Sequence, residues 1–451
     1  MSNTGNQEPR PHIALLPSAG MGHLNPLLRL TATLAARGCH VTVITPIPTF
    51  TAAESEHMDE FFSTYPNISR LKFQIVGDEP PSEFDPPIFL QWQSINRSGH
   101  ILRPLLTALS PPITALFSDF VAGLCICPIA DDLKIPNYFV VTSSARFFSL
   151  WALLPYINKS HDDEILIPGL SPFHISTIPP PFFNPNHLFT KLATSNAPLL
   201  SKAKGILLNT FDYFEPDTIT AIRKGTVLSD LPQVFPIGPL KDYKFGKGNY
   251  PTWLDDQEEG SVVYVSFGSR TTLSRDQIRE LGDGLERSGF PFLWVLKTSK
   301  EDEGELRDLL GDTFFEKTGK KGIVVKGWAD QEAILAHPAI GGFVSHCGWN
   351  SVTETTRFGV PILAWPQHGD QRLNAEVVEK AGMGVWERDW GWQRERLIKG
   401  EEIGEKIEKW MTDEKSKTQA KKIRVEAKKA LEANGSSEKA LSDLITTVKK
   451  N

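Results

Sequence analysis

Residues 12–45 read HIALLPSAGMGHLNPLLRLTATLAARGCHVTVIT, and this stretch predicts the fold. His12–Leu16 is a short apolar run of the kind that forms a buried parallel strand, and His40–Thr45 is a second one. Between them Asn25 is expected to cap a helix whose first residue is Pro26. A strand, a helix and a second strand in this order form the right-handed unit of a doubly wound α/β sheet.

The same alternation continues along the chain and divides it into two parts. Apolar runs suited to further strands precede residue 238, and a second series begins with Val262–Ser266. The predicted fold class is α/β, with two Rossmann-like domains whose parallel sheets face each other across a cleft. The predicted units are an N-terminal domain over residues 1–238, a linker over 239–250, a C-terminal domain over 251–435, and a last helix over 436–451 that packs back on the N-terminal domain.

Overall composition excludes several classes of protein. The 451 residues carry a net charge of −6, so a nucleic-acid partner is not expected, because no basic surplus exists to bind phosphate backbones. No stretch of about 18 uninterrupted apolar residues appears, so no membrane span is expected. The first residues are polar, without the apolar core of a signal peptide, and the four cysteines suit buried reduced thiols. These features favour a cytoplasmic protein.

A glycine-containing turn, Gly20–His23, joins the first strand to the first helix. It does not match a dinucleotide-binding fingerprint, since Asn25 stands where the third glycine belongs and the second strand ends without an acidic residue for a ribose. What remains is His23 beside a helix N-terminus, whose positive end disfavours the imidazolium. A neutral histidine suits a general base, although a helix-start residue that only forms hydrogen bonds fits the same position.

Asp119 is the last residue of another apolar strand, Ala115–Asp119. Because the carboxyl ends of parallel strands open onto one cleft, Asp119 is expected near His23, where it could orient the ring and stabilise its protonated form. A strand-end cap is an equally good interpretation from spacing alone. The two residues are therefore a candidate catalytic dyad.

Groups suited to a phosphate follow the first strand of the second half. Residues 266–271 read SFGSRT, and small residues there let backbone N–H groups approach a phosphate. Ser269 adds a hydroxyl, and Arg270 either pairs with a diphosphate or holds the loop.

Residues 328–371 begin with residue types that fit a nucleotide. Trp328 could stack on a planar base, and Gln331 could reach the base or the ribose. The turn 346–351, with the sequence HCGWNS, offers helix-start N–H groups and polar side chains to a pyrophosphate. Glu354 could accept both ribose hydroxyls from its place in the following helix.

Asp370 and Gln371 lie after the next strand, where a carboxylate and an amide could bind the hydroxyls of a hexose. Each residue has a structural alternative: Trp328 as core, Glu354 as surface, Ser351 as a helix cap. Their joint spacing favours the binding interpretation for the set.

The stretch 328–371 resembles the signature box of plant UDP-dependent glycosyltransferases that act on small molecules. The resemblance implies a GT-B architecture, UDP-glucose as donor, no cofactor or metal, and His23 with Asp119 as the catalytic dyad. Most members have proline where this chain has Asp330. Without the proline ring the loop is expected to be less rigid. The donor contacts that the resemblance implies are Gly22, Thr142, Gly268, Ser269, Arg270, Trp328, Ala329, Gln331, His346, Gly348, Trp349, Asn350, Ser351, Glu354, Asp370 and Gln371.

Aromatic residues of the first half predict the acceptor pocket, because planar apolar molecules bind in such surroundings. About half of these residues are expected to be ordinary core. The predicted acceptor contacts are Phe89, Trp92, Phe120, Phe148, Trp151 and Phe183.

Short segments also resemble plant C-glucosyltransferases, which act on phloroglucinol-type cores of 2-hydroxyflavanones, dihydrochalcones or benzophenones. The segments are Asp85 with Pro86, 178–184 (IPPPFFN), 266–271 (SFGSRT) and 364–371 (AWPQHGDQ). The resemblance implies inverting transfer of glucose to an aromatic carbon, and we expect a monomer with small-molecule substrates. O-glucosylation uses the same base and donor and stays open. A non-catalytic nucleotide-sugar binder or an epimerase of the same fold is a more remote alternative.

Overall fold

The computed structural model describes residues 10–77, 86–157, 163–241, 243, 250–298, 304–392 and 395–450. Strands and helices alternate along it, as the apolar runs predict. The strands are β1 (His12–Leu16), β2 (His40–Ile47), β3 (Ser69–Gln74), β4 (Ala115–Asp119), β5 (Asn137–Val141), β6 (Glu164–Ile165), β7 (Phe173–His174), β8 (Gly205–Leu208), β9 (Val234–Pro236), β10 (Val262–Ser266), β11 (Phe292–Leu296), β12 (Gly322–Lys326), β13 (Ile340–Ser345), β14 (Ile362–Ala364) and β15 (Gly384–Trp386).

The helices cover both faces of the sheets and connect successive parallel strands. They are α1 (Met21–Ala36), α2 (Ala52–Thr64), α3 (Pro87–Arg97), α4 (Gly99–Thr107), α5 (Gly123–Leu133), α6 (Ala145–Leu153), α7 (Leu188–Asn196), α8 (Pro216–Arg223), α9 (Arg275–Arg287), α10 (Leu306–Leu310), α11 (Asp312–Thr318), α12 (Gln331–Ala336), α13 (Trp349–Phe358), α14 (Gln371–Lys380), α15 (Gly400–Met411), α16 (Glu414–Leu431) and α17 (Ser436–Lys450).

The first sheet has the strand order β3-β2-β1-β4-β5-β8-β9 within the described residues, and its strands are parallel. Ile13 of β1 lies opposite Val41 of β2 on one side and Ala115 of β4 on the other. The strand order reverses between β1 and β4, so the carboxyl ends of these two strands border a crevice. The loop after β1 and the last residue of β4 both open onto it.

The second sheet repeats this plan with the order β12-β11-β10-β13-β14-β15. Tyr264 of β10 lies opposite Leu293 of β11 and Phe343 of β13, again in parallel register. The order reverses between β10 and β13, whose carboxyl ends carry the 266–271 loop and the 346–351 turn. The predicted α/β class with two parallel sheets is confirmed.

The first helix begins earlier than the sequence pattern indicates. α1 starts at Met21 rather than at Pro26, so the prediction that Asn25 caps the helix is wrong. The N-cap is Gly20, whose φ of 98° favours glycine, and its N–H donates to Glu54 Oε1 at 2.9 Å. This start was not predictable locally, because glycine lacks a capping side chain and its partner lies on another helix. The candidate base therefore lies in the first helical turn.

The last helix, α17, packs on the first domain. Its residues Leu444 and Val448 are buried in the same core cluster as Ile13 of β1. Ser437 Oγ also donates to the carbonyl of Gly238 at 2.6 Å. The chain therefore returns from the second sheet to the first.

The domain boundaries at residues 238, 250 and 435 stay predictions. Linker residues 242 and 244–249 lie outside the described residues, as do Asp85 and residues 1–9. Within the described ranges no helix is both long and apolar enough to cross a membrane.

Candidate active site

The structure brings His23, in the first turn of α1, against Asp119 at the end of β4. His23 Nδ1 lies 2.7 Å from Asp119 Oδ2. Asp119 is fully buried, and it also accepts from Ser18 Oγ at 2.9 Å and from the N–H of Val121 at 3.2 Å. These contacts hold the carboxylate in one orientation toward the imidazole.

This contact decides which nitrogen of His23 is available. Nδ1 carries the hydrogen when Asp119 is ionised, because a carboxylate only accepts, and Nε2 then keeps its lone pair. Among the described residues none bonds Nε2, and the His23 side chain is 19% exposed. The ring meets Trp92 edge to face, with centroids 4.9 Å apart. Nε2 is thus placed to accept a proton from a bound molecule.

Thr142 and Ser143 follow β5 at the same crevice. Thr142 Oγ1 lies 2.9 Å from His23 Nδ1, so this predicted donor contact lies beside the dyad. Ser143 Oγ donates to Asp370 Oδ2 of the second domain. Sequence reasoning missed Ser143, because its partner is 227 residues away and no local pattern marks the contact.

Glu54 of α2 is a second residue that sequence reasoning missed. Its side chain is buried and accepts from the N–H of Gly20, the N-cap of the helix that carries His23. Burial raises the pKa of the Glu54 carboxyl, whereas the backbone N–H of Gly20 and the charge of Arg270 lower it. No sequence motif surrounds Glu54, so only the packing of α2 against the turn reveals it.

His346, at the end of β13, fills the space between Gly268 and Gly348. A Cβ at either glycine would lie 2.5 Å from His346 Nε2, so side chains are excluded at both positions. Burial lowers the pKa of His346 to about 3, which keeps the imidazole neutral at physiological pH. The ring thus shapes the turn at which α13 begins and brings two loops of the second domain together.

Trp349 is the first residue of α13 and joins the two domains. Its Nε1 donates to the carbonyl of Asn209 at 3.0 Å, and its ring packs near Phe214 with centroids 6.0 Å apart. The Trp349 side chain therefore packs at the interface between the domains. Its backbone N–H, in the first turn of a helix, is a group that an anion could bind.

Asn350 reaches carbonyl groups of α1, the helix that carries His23. Its Nδ2 lies 3.3 Å from the oxygen of Gly22 and 3.4 Å from that of Met21. In a regular α-helix the Gly22 carbonyl would accept from the N–H of residue 26, but Pro26 has none. The proline inside α1 therefore leaves an acceptor available to the second domain.

Gln331, Ser351 and Glu354 form one hydrogen-bonded group. Gln331 Nε2 donates to Ser351 Oγ at 3.0 Å and to Glu354 Oε2 at 2.6 Å. The other carboxylate oxygen, Oε1, accepts from Arg29 Nη2 of α1 at 2.6 Å. Glu354 is buried rather than a surface residue, so the surface interpretation is wrong for it.

Trp328 begins the signature stretch with an open indole face. Its side chain is 79% exposed, so the core interpretation is wrong for it, whereas Ala329 is partly buried. Asp330 Oδ1 accepts from the N–H of Ala333 at 3.0 Å and is the N-cap of α12. The carboxylate that replaces the usual proline therefore fixes the loop by capping the next helix.

Asp370 is the N-cap of α14, and Gln371 is the first residue of this helix. Asp370 Oδ2 accepts from Asn374 Nδ2 at 3.0 Å as well as from Ser143. Gln371 is buried, and its Oε1 accepts from the N–H groups of Gln367 and His368 at 2.8 and 3.0 Å. In this conformation the amide oxygen of Gln371 holds its own loop, and the predicted sugar contact stays a prediction.

The remaining predicted donor contacts lie at the mouths of the two crevices. Ser269 and Arg270 follow β10, and Gly22 lies in the first turn of α1. All three residues are exposed.

The predicted acceptor residues divide into two groups. Phe120, Phe148 and Trp151 are 2%, 0% and 1% exposed, which favours core packing over direct contact with an acceptor. Phe89 and Phe183 are only partly buried against the same cluster, and Trp92 borders His23. Because a bound molecule touches only surface that water reaches, exposure favours the acceptor prediction for Phe89 and Phe183. Trp92 is 5% exposed, and its acceptor role stays a prediction that rests on its contact with His23.

The sequence of this chain is similar to those of known proteins. A family model described as "UDP-glucoronosyl and UDP-glucosyl transferase" matches residues 250–390. The chain is 46% identical to UDP-glycosyltransferase 708G2 of Citrus unshiu, over 100% of this chain and 99% of that protein. It is 43% identical to UDP-glycosyltransferase CGT of Oryza sativa subsp. japonica, over 96% of this chain and 95% of that protein. The chain belongs to the UDP-glycosyltransferase family.

The crystal structure of LpCGTa in complex with UDP matches this UDP-glycosyltransferase with a TM-score of 0.87 and 43% identity, over 98% of this chain and 99% of that one. The GT-B architecture, with two facing Rossmann-like domains, is thereby confirmed. Within the described residues no group of three or more His, Cys, Asp or Glu side chains could hold a metal ion. A reaction without cofactor or metal stays a prediction.

Proposed function

We propose that this UDP-glycosyltransferase transfers glucose from UDP-glucose to an aromatic carbon of a phloroglucinol-type polyphenol, with inversion at the anomeric carbon. The observation that carries the proposal is the His23–Asp119 contact of 2.7 Å, which leaves Nε2 available in the crevice. Relatives whose names contain CGT, the abbreviation of C-glucosyltransferase, support the carbon-linked product.

The reaction begins with the acceptor. His23 Nε2 removes a phenolic proton, and Asp119 stabilises the imidazolium that forms. The negative charge of the phenolate spreads to the ortho carbon of the ring. That carbon attacks the anomeric carbon from the face opposite UDP, so a C–C bond forms while the bond to the diphosphate oxygen breaks. The ring proton then leaves to water, which restores aromaticity as a phenolate. The phenolate oxygen takes back the proton held by His23, which regenerates the base and gives a β-C-glucoside.

The second domain supplies most of the donor contacts in this proposal. Trp328 presents an exposed ring to the uracil, and Glu354 accepts the ribose hydroxyls. The helix start at Trp349 and Asn350 offers N–H groups to the diphosphate, which stabilises the leaving group without a metal. Asp370 is within reach of the sugar hydroxyls, since its contact with Ser143 lies at the interface of the two domains.

The close alternative is O-glucosylation of the same phenol. Base, donor and leaving group are identical, and only the atom presented to the anomeric carbon differs. A non-catalytic binder or an epimerase is less favoured, because neither requires an imidazole with a free Nε2 beside an aromatic crevice. The measured release of UDP with and without a polyphenol separates those two from a transferase.

The bond is tested by the stability of the product in acid. The protein is incubated with UDP-glucose and a trihydroxyacetophenone, and the product is then heated in acid. A C-glucoside keeps its sugar under these conditions, whereas an O-glucoside releases glucose. Release of all the sugar would contradict carbon transfer while leaving the glucosyltransferase assignment intact.

We also propose that the protein is cytoplasmic and that it is a monomer. All four cysteines are free and buried, as expected for a reducing compartment. Size-exclusion chromatography with light scattering measures the mass directly.

A further inference from the structure

A buried cluster of four charges crosses the gap between the two domains, away from the catalytic dyad. Arg29 Nη2, on α1, lies 2.6 Å from Glu354 Oε1 and 2.7 Å from Glu332 Oε1. Arg357 Nη1 bonds both oxygens of Glu332, each at 2.9 Å. The side chains of Arg29 and Glu354 are only 6% and 7% exposed. Two cations thus balance two carboxylates where water hardly reaches.

The position of Arg29 connects this cluster to catalysis. It lies six residues after His23 on α1, about 9 Å along the helix axis. Glu354, on α13, is the residue that accepts the ribose hydroxyls in the proposed function. The helix that carries the base therefore also carries the cation that faces the proposed ribose ligand.

We propose that Arg29 is a positioning residue for the nucleotide donor, which holds Glu354 ionised and oriented so that it accepts the ribose hydroxyls. The inference rests on the proposed function. It adds that recognition of the ribose by the second domain depends on a side chain of the first.

The physical reason is the cost of a buried charge. Burial raises the pKa of the Glu354 carboxyl, and the charge of Arg29 is the largest of the influences that lower it. The neighbouring carboxylate of Glu332 raises it further, while the amide of Gln331 lowers it. Without Arg29 two carboxylates would share a single cation, Arg357, and Glu354 would take up a proton.

A protonated Glu354 binds a ribose less well. The ionised carboxylate can accept from the 2′- and 3′-hydroxyls in addition to Gln331, because each oxygen has two lone pairs. The carboxylic acid loses one accepting position and presents an O–H donor instead. Ribose affinity should therefore follow the ionisation of Glu354. Among the described residues His57 of α2 also faces Arg29; its pKa is lowered to about 4 by burial and by the charge of Arg29, and its ring is hydrogen-bonded to Tyr243.

The test measures the binding of UDP by calorimetry from mildly acidic to mildly alkaline pH. Arg29→Met removes the charge and keeps the length of the side chain. We expect its dissociation constant for UDP to rise about tenfold at neutral pH, which corresponds to a loss of about 1.4 kcal/mol, and to recover as the pH rises. Arg29→Lys keeps the charge and should show the nearly flat profile of the unmodified protein.

Two controls separate this role from simple domain adhesion. Arg37→Met removes another arginine–glutamate pair of the same helix region, that of Arg37 with Glu438, and should leave UDP binding unchanged. The probe 2′,3′-dideoxy-UDP lacks the hydroxyls and should bind the unmodified protein and Arg29→Met equally. If Arg29→Met does not fold, Arg29→Gln keeps a hydrogen-bond donor without the charge and should give the same pH dependence.

The outcomes are distinct. If UDP binds Arg29→Met as tightly as the unmodified protein at every pH, Arg29 does not position Glu354. A loss that is equal at every pH and equal for the dideoxy probe would mean that Arg29 only joins the domains. If the unmodified protein does not bind UDP at all, the proposed function fails instead.

Discussion

At the scale of single residues, the site depends on pairs that are far apart in sequence but predictable from strand ends. His23 and Asp119 are 96 residues apart and meet because β1 and β4 are neighbours in one parallel sheet. Strand-end reasoning therefore predicted their proximity. It could not predict Arg29 or Ser143, because their partners lie on the other domain and no rule of local sequence specifies how two domains face each other.

The dyad makes a direct kinetic prediction. His23→Ala should reduce transfer by about 10²- to 10⁴-fold while UDP binding stays near that of the unmodified protein, because the base does not contact the donor in the proposed site. His100→Ala removes an exposed histidine and serves as the control. Turnover of weakly acidic phenols by His23→Ala at the normal rate would exclude a base role.

Asp119→Asn should be less damaging than loss of the ring. The amide is neutral and can donate to Nδ1, which favours the tautomer with its hydrogen on Nε2 and lowers the fraction of rings that can act as the base. We expect a loss of about 2 to 4 kcal/mol in transition-state stabilisation, measured from kcat/KM. A rise in KM alone, with kcat unchanged, would show that Asp119 contributes to substrate binding instead.

At the scale of elements, the strands were the most predictable parts and the helix starts the least. Buried parallel strands such as β1 and β10 are continuous apolar runs, which the sequence displays directly. The start of α1 depends instead on Gly20 and on Glu54 from α2, a tertiary contact. The close packing of His346 between two glycines was equally hidden, since glycine alone does not reveal which ring approaches it.

That packing makes Gly268 sensitive to the smallest substitution. Gly268→Ala would place a Cβ 2.5 Å from His346 Nε2 and would hold a non-glycine residue at a φ of 74°. We expect a loss of about 1 to 3 kcal/mol in stability and weaker UDP binding, measured by urea unfolding and calorimetry. Gly289→Ala, at a φ of 73° with open space around it, is the matched control for backbone strain alone. Equal effects at the two glycines would contradict a role for the histidine contact.

At the scale of the whole molecule, histidines whose pKa values are lowered by burial make the folded protein less stable in acid. Burial lowers the pKa of His57 and His368 to about 4 and that of His346 to about 3, from 6.5. Below pH 6.5 the unfolded chain therefore binds protons that the folded protein does not, so stability declines as the pH falls toward about 4. Above pH 6.5 these residues make no such contribution.

Urea unfolding at a series of pH values checks this decline. His57→Asn should flatten it, since one of the rings with a lowered pKa is removed, whereas exposed His100→Asn should leave it unchanged. A midpoint that stays constant down to about pH 4.5 would contradict the assignment of neutral buried rings.

Pro26 affects both the stability of α1 and the contact between the two domains. The Gly22 carbonyl oxygen accepts from the amide of Asn350, and Pro26 has no N–H to share that oxygen. With an N–H at residue 26 the oxygen would be divided between the helix and Asn350. Pro26→Ala restores this N–H and should stabilise α1 by about 1 kcal/mol through the recovered hydrogen bond. The same change should weaken the contact that Asn350 makes between the two domains. Small-angle scattering would then record a larger radius of gyration for a more stable variant.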